Sequence, residues 1–233
     1  MDTNKQKAFV VHSKPYKETS LIVTFLTERK GKVNAVAKGA KRKKSKFSGN
    51  LEPFQLLSID YGGRSNLKTL FLAESIEPYK DFVESENLFS AFYVNELINF
   101  LLPYSDESTE LFKIYRDCIQ NLKAEKNIEI VLRIFELKVL SELGYEINLE
   151  SEFSNGEPIS EEKKYSYRPE SGFYECSDGH SGKDLIGING MDFSESSLRV
   201  CKAITRQTFD HYFSELNIQS RVFFKCFILL VQI

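Results

Sequence analysis

Apolar residues first change their spacing near Pro78, and that change limits the folds open to the chain more than any other feature. Before it they come in short β-branched and aromatic runs broken by turn signals. After it they recur every three or four residues. A two-residue period places alternate side chains on one face of a strand, and a 3.6-residue period builds one face of a helix. The expected molecule therefore begins with a β module and continues with helices.

Five runs carry the β reading. Residues 7–12 (KAFVVH) are followed by SKPYKET, which supplies turn and loop residues. Residues 20–27 (SLIVTFLT) suit a strand buried on both faces. ERKG makes a hairpin-like turn into residues 32–38 (KVNAVAK), where Val33, Ala35 and Ala37 alternate. Residues 54–61 (FQLLSIDY) and 67–75 (LKTLFLAES) flank GGRSN, whose glycines allow a tight connection. Five strands in about seventy residues suit a small closed barrel, with the OB-fold as the natural candidate and an SH3-like barrel as the alternative.

Residues 86–102 place Leu88, Phe89, Phe92, Ile98, Leu101 and Leu102 mostly on one helical stripe that Pro103 stops. Residues 109–123 repeat the pattern with Phe112, Tyr115, Ile119 and Leu122, and residues 127–143 carry Val131, Leu132, Phe135, Val139 and Leu140 up to Gly144. Short links between them predict a bundle. Residues 149–183, rich in Gly, Ser, Glu and Pro, read as an irregular, exposed and poorly packed hairpin with KYSYR and GFYEC as its extended islands. A helical pattern returns with Ser194 or Ser196 as N-cap, and a last helix starts at Ser220 and ends in FILLVQI. The fold class expected is α+β multidomain: a barrel over 1–80, the first part of a helical domain over 81–148, the hairpin insert over 149–183, and C-terminal helices over 184–233 packing on the helical domain.

A near-neutral total of −2 hides a strong charge asymmetry. Residues 1–80 hold sixteen Lys and Arg against seven Asp and Glu, and residues 81–233 hold fifteen against twenty-six. A polyanion partner suits the first part and a protein partner the second. The basic excess concentrates in VAKGAKRKKSKFSGNLEPF, where Lys38, Lys41, Arg42, Lys43, Lys44 and Lys46 fall within nine residues, preceded by Arg29, Lys30 and Lys32. Gathered on one barrel face, these side chains would attract phosphates and release their counterions. Phe47 and Phe54 bracket the run and offer rings on which bases stack, or else serve as barrel core. The plain alternative for the run is a solvated loop.

Catalytic signatures are missing: there is no Gly-rich phosphate loop, GxSxG elbow, HExxH or GxGxxG. His12, His180 and His211 lie far apart, and no catalytic residue or cofactor is expected. Cys118, Cys176, Cys201 and Cys226 form no CxxC pair. No run of about eighteen apolar residues suggests a membrane span. MDTNKQKAF lacks the apolar stretch of a signal peptide, so an intracellular protein is expected. On the third helix Arg133 sits among apolar residues, where it suits either the carboxylate of an acidic peptide or an ion pair with Glu129 or Glu136. Arg199, Lys202, Arg206, Arg221 and Lys225 either extend a polyanion surface or form the solvated sides of the final helices.

The blocks AFVVHSKPYKETSLIVTFLTERKGKV, VAKGAKRKKSKFSGNLEPF and YGGRSNLKTL, followed by YVNELI, FELKVLSELGY, NGEPIS and a weaker SLRVCKAITR, resemble the RecO family of bacterial recombination mediators. The resemblance spans about residues 5–225 and implies an N-terminal OB-fold, a helical domain and no catalytic site. It further implies binding of single- and double-stranded DNA and annealing of complementary strands. With RecR, such a protein loads RecA onto DNA covered by single-strand-binding protein (SSB), in a bacterial cytoplasm and close to the nucleoid. The family meets the acidic, Phe-ended SSB tail through its helical domain, which carries over to Arg133, with Leu132 and Phe135 beside it. Many members hold a four-cysteine zinc module between the central and final helices. The matching stretch here offers only Cys176, so no zinc is expected, and Tyr165, Tyr167, Phe173 and Tyr174 would hold a degenerate hairpin instead. The apolar end departs from the basic finish such a DNA-binding chain would show. An RNA-binding OB module acting in RNA metabolism or ribosome assembly is the competing reading, since phosphates are common to both polymers. A protein-binding scaffold whose basic loop meets an acidic partner is a third.

Overall fold

The computed structural model describes residues 5–77, 85–102, 107–124 and 126–215. Five strands, β1 (Gln6–Tyr16), β2 (Ser20–Thr27), β3 (Gly31–Ala37), β4 (Leu56–Gly62) and β5 (Leu67–Ser75), close into a barrel in the order β1-β2-β3-β5-β4. Every pairing is antiparallel except β3 with β5, which runs parallel from Asn34↔Leu67 to Val36↔Thr69. This is the five-stranded OB-fold expected from the sequence. Alternation fills its interior with Ala8 and Val10, Val23 and Phe25, Val33, Ala35 and Ala37, Leu57, Ile59 and Tyr61, and Leu70 and Ala73.

β1 is longer than KAFVVH suggests. Ser13, Lys14, Pro15 and Tyr16 pair with Val23, Ile22, Leu21 and Ser20. Among the described residues β4 pairs β1 only from Gln6 to Phe9, so Pro15 stands on an edge where its missing N–H costs no ladder bond. That edge position hides a strand inside a sequence that reads as loop.

The described chain forms two compact units, one within residues 1–125 and one within 126–217. In the first, α1 (Ser85–Leu101) and α2 (Thr109–Lys123) lie with the barrel. Phe9 on β1 packs its ring 5.3 Å from Phe112 and 5.0 Å from Tyr115 of α2. The face that α1 buries is rotated from the expected stripe: Phe92 is 40% exposed, whereas Asn87, Ala91, Val94 and Asn95 are buried. Polar partners explain the rotation. Asn95 donates to the Val11 carbonyl at 2.7 Å and accepts from the Tyr115 hydroxyl at 2.6 Å, and Asn87 donates to the Leu122 carbonyl at 2.9 Å. Asn95 has both ends of its amide bonded, so its burial costs little and apolar periodicity alone misplaces this face.

The second unit contains α3 (Ile128–Glu142), the strands β6 (Lys164–Arg168), β7 (Gly172–Cys176) and β8 (His180–Ser181), and the helices α4 (Gly182–Asn189) and α5 (Glu195–Tyr212). Asn127 caps α3 through Ile130 N–H, Ser194 caps α5 through Ser197 N–H, and Gly144 after α3 has a left-handed φ of 83°. The hairpin is not poorly packed. Tyr165, Tyr167 and Phe173 are buried, the Tyr165 hydroxyl accepts from Ser160 N–H, and the Tyr167 hydroxyl shares a hydrogen bond with Thr208 of α5. Two of its glycines allow close backbone approach: a Cβ on Gly182 would stand 1.8 Å from the Ser160 carbonyl oxygen, and one on Gly179 2.5 Å from the Tyr165 carbonyl oxygen. α4 is an element that the sequence reading did not anticipate. Its eight residues bury only Leu185 and Ile188 besides the glycine, too short a stripe to register as a period. The expected last helix, with Arg221, Lys225 and the apolar finish, lies outside the described residues. No described helix is long and apolar enough to cross a membrane.

Candidate nucleic-acid interface

The basic run crosses the barrel as a strap between β3 and β4, residues 38–55. Two of its residues are anchors: Phe47 and Leu51 are buried in the barrel core, with Phe47 3% exposed. Successive turns stiffen the chain before and between them, through Arg42 N–H to Gly39 O, Ser45 N–H to Arg42 O, Ser48 N–H to Ser45 O and Asn50 N–H to Phe47 O. Gly39 and Gly49 take φ of 73° and 76°, which glycine reaches at least cost. The second half lies along β5 beyond its last rung to β3. There Lys46 Nζ donates to the Phe71 carbonyl at 2.7 Å and Asn50 Nδ2 donates to the Ala73 carbonyl at 3.1 Å. Phe54 closes the strap in a left-handed conformation, φ 68°, held by its N–H to Val10 O and by an edge contact with Phe92. A freely solvated loop has none of these ties.

Between the anchors and β3 the side chains point out. Lys38, Lys41, Arg42, Lys43, Lys44 and Lys46 are all exposed. Among the described residues none of Lys38, Lys41, Arg42, Lys43 and Lys44 has an acidic partner within ion-pair distance. Two further cations join them that the sequence reading passed over. Lys41 N–H donates to the Thr19 carbonyl at 2.9 Å and Gly39 N–H donates to Ser20 Oγ at 3.4 Å, which draws the β1–β2 turn, with exposed Lys14 and Lys17, beside the strap. Lys17 has a left-handed φ of 52° and its ammonium lies 5.4 Å from the Tyr16 ring centre. The signal was present in SKPYKET, where two lysines bracket a tyrosine, but it became visible only once β1 was known to extend that far.

Arg29, Lys30 and Lys32 stand apart from this group. They sit at the start of β3, about 20 Å along the strand from its end at Ala37. Arg29 donates to the Lys5 carbonyl and Lys30 pairs with Glu107. Lys32 is buried and donates to the Asn99 carbonyl in the last turn of α1 at 2.6 Å, a helix end that favours a cation. Burial lowers the pKa of its ammonium. Its charge is directed into the protein. Phe47 and Phe54, at 3% and 2% exposure, present no face to a base, whereas Phe71 on β5 is 36% exposed.

In the second unit Arg133 is buried and paired with Glu136 at 2.9 Å, while the other Glu136 oxygen accepts from Thr205 Oγ1 of α5 at 2.8 Å. The ion-pair alternative for Arg133 is thus realised inside the helix pair. Phe135 is buried with it, and Leu132 is half-buried. Burial, only partly offset by Arg133, pushes the nearby Cys201 thiol up to about 12. Arg199 and Arg206 pair with Glu195 and Asp210 one turn away on α5, and Lys202 is exposed. Among the described residues no group of three or more His, Cys, Asp or Glu is placed to hold a metal ion, and Lys164 stands opposite Cys176 in the β6–β7 register. These residues do not fit a zinc module. Buried Tyr165, Tyr167 and Phe173 hold the hairpin.

Comparison with known proteins places the chain. The family model described as recombination protein O N terminal matches residues 1–79, and the one described as recombination protein O C terminal matches residues 84–223. Curated relatives named DNA repair protein RecO from Escherichia coli, Escherichia fergusonii and Shigella sonnei are each 38% identical over 228 residues, covering 95% of this chain and 94% of theirs.

Proposed function

The chain belongs to the RecO family of DNA repair proteins, and from that premise we propose that it binds DNA through the strap and anneals complementary single strands. The observation that carries this reading is the set of exposed cations on a stiffened strap, five of them without an acidic partner among the described residues. A strand laid across Lys14, Lys17 and Lys38 through Lys46 has its phosphates neutralised, while contacts to phosphate leave base identity unread. Two strands so held repel each other less, and base pairing itself supplies the driving force. Neither a cofactor nor a nucleotide is consumed.

In the same reading the protein works with RecR to load RecA onto SSB-covered strands, and the unit bearing α3 receives the acidic SSB tail. Leu132 is the surface member of the expected trio. Arg133 meets Glu136 through Nη2, and among the described residues its buried Nε has no partner. DNA is the preferred polymer over RNA because the family is one of DNA repair proteins.

The test is salt-dependent binding and annealing of a labelled single strand by the wild type and by a Lys41→Ala, Arg42→Ala, Lys43→Ala, Lys44→Ala variant. With about six phosphates neutralised, the log–log slope of affinity against salt is about −4 for the wild type, and each lost contact makes it shallower by about 0.7. A folded variant with an unchanged slope would move the DNA surface elsewhere. Tighter binding of RNA of the same sequence would favour the RNA adaptor.

A further inference from the structure

We propose that Phe71 is a stacking platform for an unpaired nucleobase, and that it gives the barrel a preference for single strands over duplex; this rests on the nucleic-acid reading above. The two rings that bracket the basic run are committed to the interior. Among the described barrel residues, Phe71 is the phenylalanine left exposed beside the strap.

Three features single it out from an ordinary surface phenylalanine. The β4–β5 register steps from Asp60↔Leu72 to Tyr61↔Leu70 and passes over Phe71, so the residue occupies a bulge, a device that re-aims a side chain. Its ring tip lies over Gly62, where a Cβ would come within 2.9 Å of Cε2 and 3.4 Å of Cζ, so the glycine makes room for the ring. Its carbonyl, left out of the paired register, accepts the Lys46 ammonium at 2.7 Å. A cation and an open aromatic ring are therefore joined through one peptide carbonyl. A nucleotide carries its phosphate and its base one sugar apart, and a strand whose phosphate meets Lys46 brings a base to Phe71.

The chemistry selects unpaired bases of any kind. Stacking uses the π-face common to all four, and a base inside a duplex has both faces covered by its neighbours. Phosphate contacts serve either form of DNA. The strap supplies affinity for both, and Phe71 adds to the single strand alone.

The chain has no tryptophan, so Phe71→Trp installs a single indole at the site. The probes are an ordinary single strand, an abasic strand of equal length, and a duplex. Ordinary single strand quenches the indole emission and abasic strand does not. Phe71→Ala loses about 5- to 150-fold in affinity for the ordinary single strand, keeps the wild-type salt slope, and binds abasic strand and duplex as before. Phe71→Tyr keeps the wild-type preference. An Ala variant that binds ordinary strands like the wild type, or an indole that no strand quenches, overturns the stacking assignment and leaves the phosphate reading standing. A wild type that binds none of the three probes at low salt overturns both.

Discussion

Lys32 and Arg133 carry the same chemistry that suggested nucleic-acid or acidic-peptide binding, and both are buried in the protein's own interactions. Lys32→Met removes a charged donor to the end of α1 and keeps the length of the side chain. It is expected to cost about 1–3 kcal/mol of stability while leaving the affinity and salt slope for single-stranded DNA unchanged, as read by urea denaturation beside a binding titration. Arg133→Met leaves Glu136 buried without its counter-ion and is expected to cost about 3–5 kcal/mol. Adding Glu136→Leu should restore most of that loss, because it removes the uncompensated charge. A single variant as stable as the wild type would mean that the pair contributes nothing to folding. The role of Lys32 was not legible in the sequence, and that of Arg133 only as one of two readings. Burial of a cation depends on which carbonyl or carboxylate the fold brings to it, and for Lys32 that partner is 67 residues away.

Elements were legible where their period was uniform and obscured where polar residues took part in packing. β2 and β5 fall on the residues their patterns predict, and so does α2, because turn or cap residues bound each apolar pattern. The interior positions of β3 follow the same logic. The outer half of β1, the buried face of α1 and the packing of β6–β8 escaped notice for a common reason: the edge position of Pro15, the satisfied amide of Asn95 and the close backbone approach at Gly179 and Gly182 leave no mark on a hydrophobic period. Of the candidate site, the strap cations were readable as composition, but the β1–β2 turn beside them was not. The hairpin also has a pH signature. Hydrogen bonds from Ser154 and from the Glu175 N–H hold the Glu152 carboxyl below its ordinary value, a Ser160 hydroxyl does the same for Glu162, and burial lowers His180. A depressed carboxylate contributes stability that is full above about pH 4.5 and lost as pH falls through its folded value. A depressed histidine disfavours folding once the unfolded chain protonates, below about pH 6.5. Both act in one direction. Near-ultraviolet circular dichroism, to which buried Tyr165 and Tyr167 contribute, should fade as the solution is acidified from pH 7. Glu152→Gln should flatten the lower part of that curve, and a curve unaffected by it would remove Glu152 from the account.

The whole molecule carries −2 at neutral pH, a sign that taken alone argues against a polyanion ligand. The distribution decides otherwise, since the exposed cations of the strap lie within the span where basic residues outnumber acidic ones by nine. Interactions beyond a Debye length of about 8 Å are screened at physiological salt, so DNA at the strap responds to its neighbours rather than to the total. Lysine and arginine keep their charge well above pH 8. Affinity for single-stranded DNA should therefore change little as the pH is taken from just below the isoelectric point near 6.0 up to 8, although the net charge reverses sign. A loss that tracks the net charge across this range would show that the overall field, not the local cluster, governs binding.

The strap has a consequence for how such a protein diversifies. Phe47 and Leu51 hold it to the core, and positions 41–44 add only backbone hydrogen bonds, which a change of side chain leaves in place. Substitutions there escape the constraint of folding and answer only to the ligand. Lineages, or an engineer, can thus raise or lower the strap's charge one residue at a time to suit the salinity of a cell, with the barrel beneath unaware of the change.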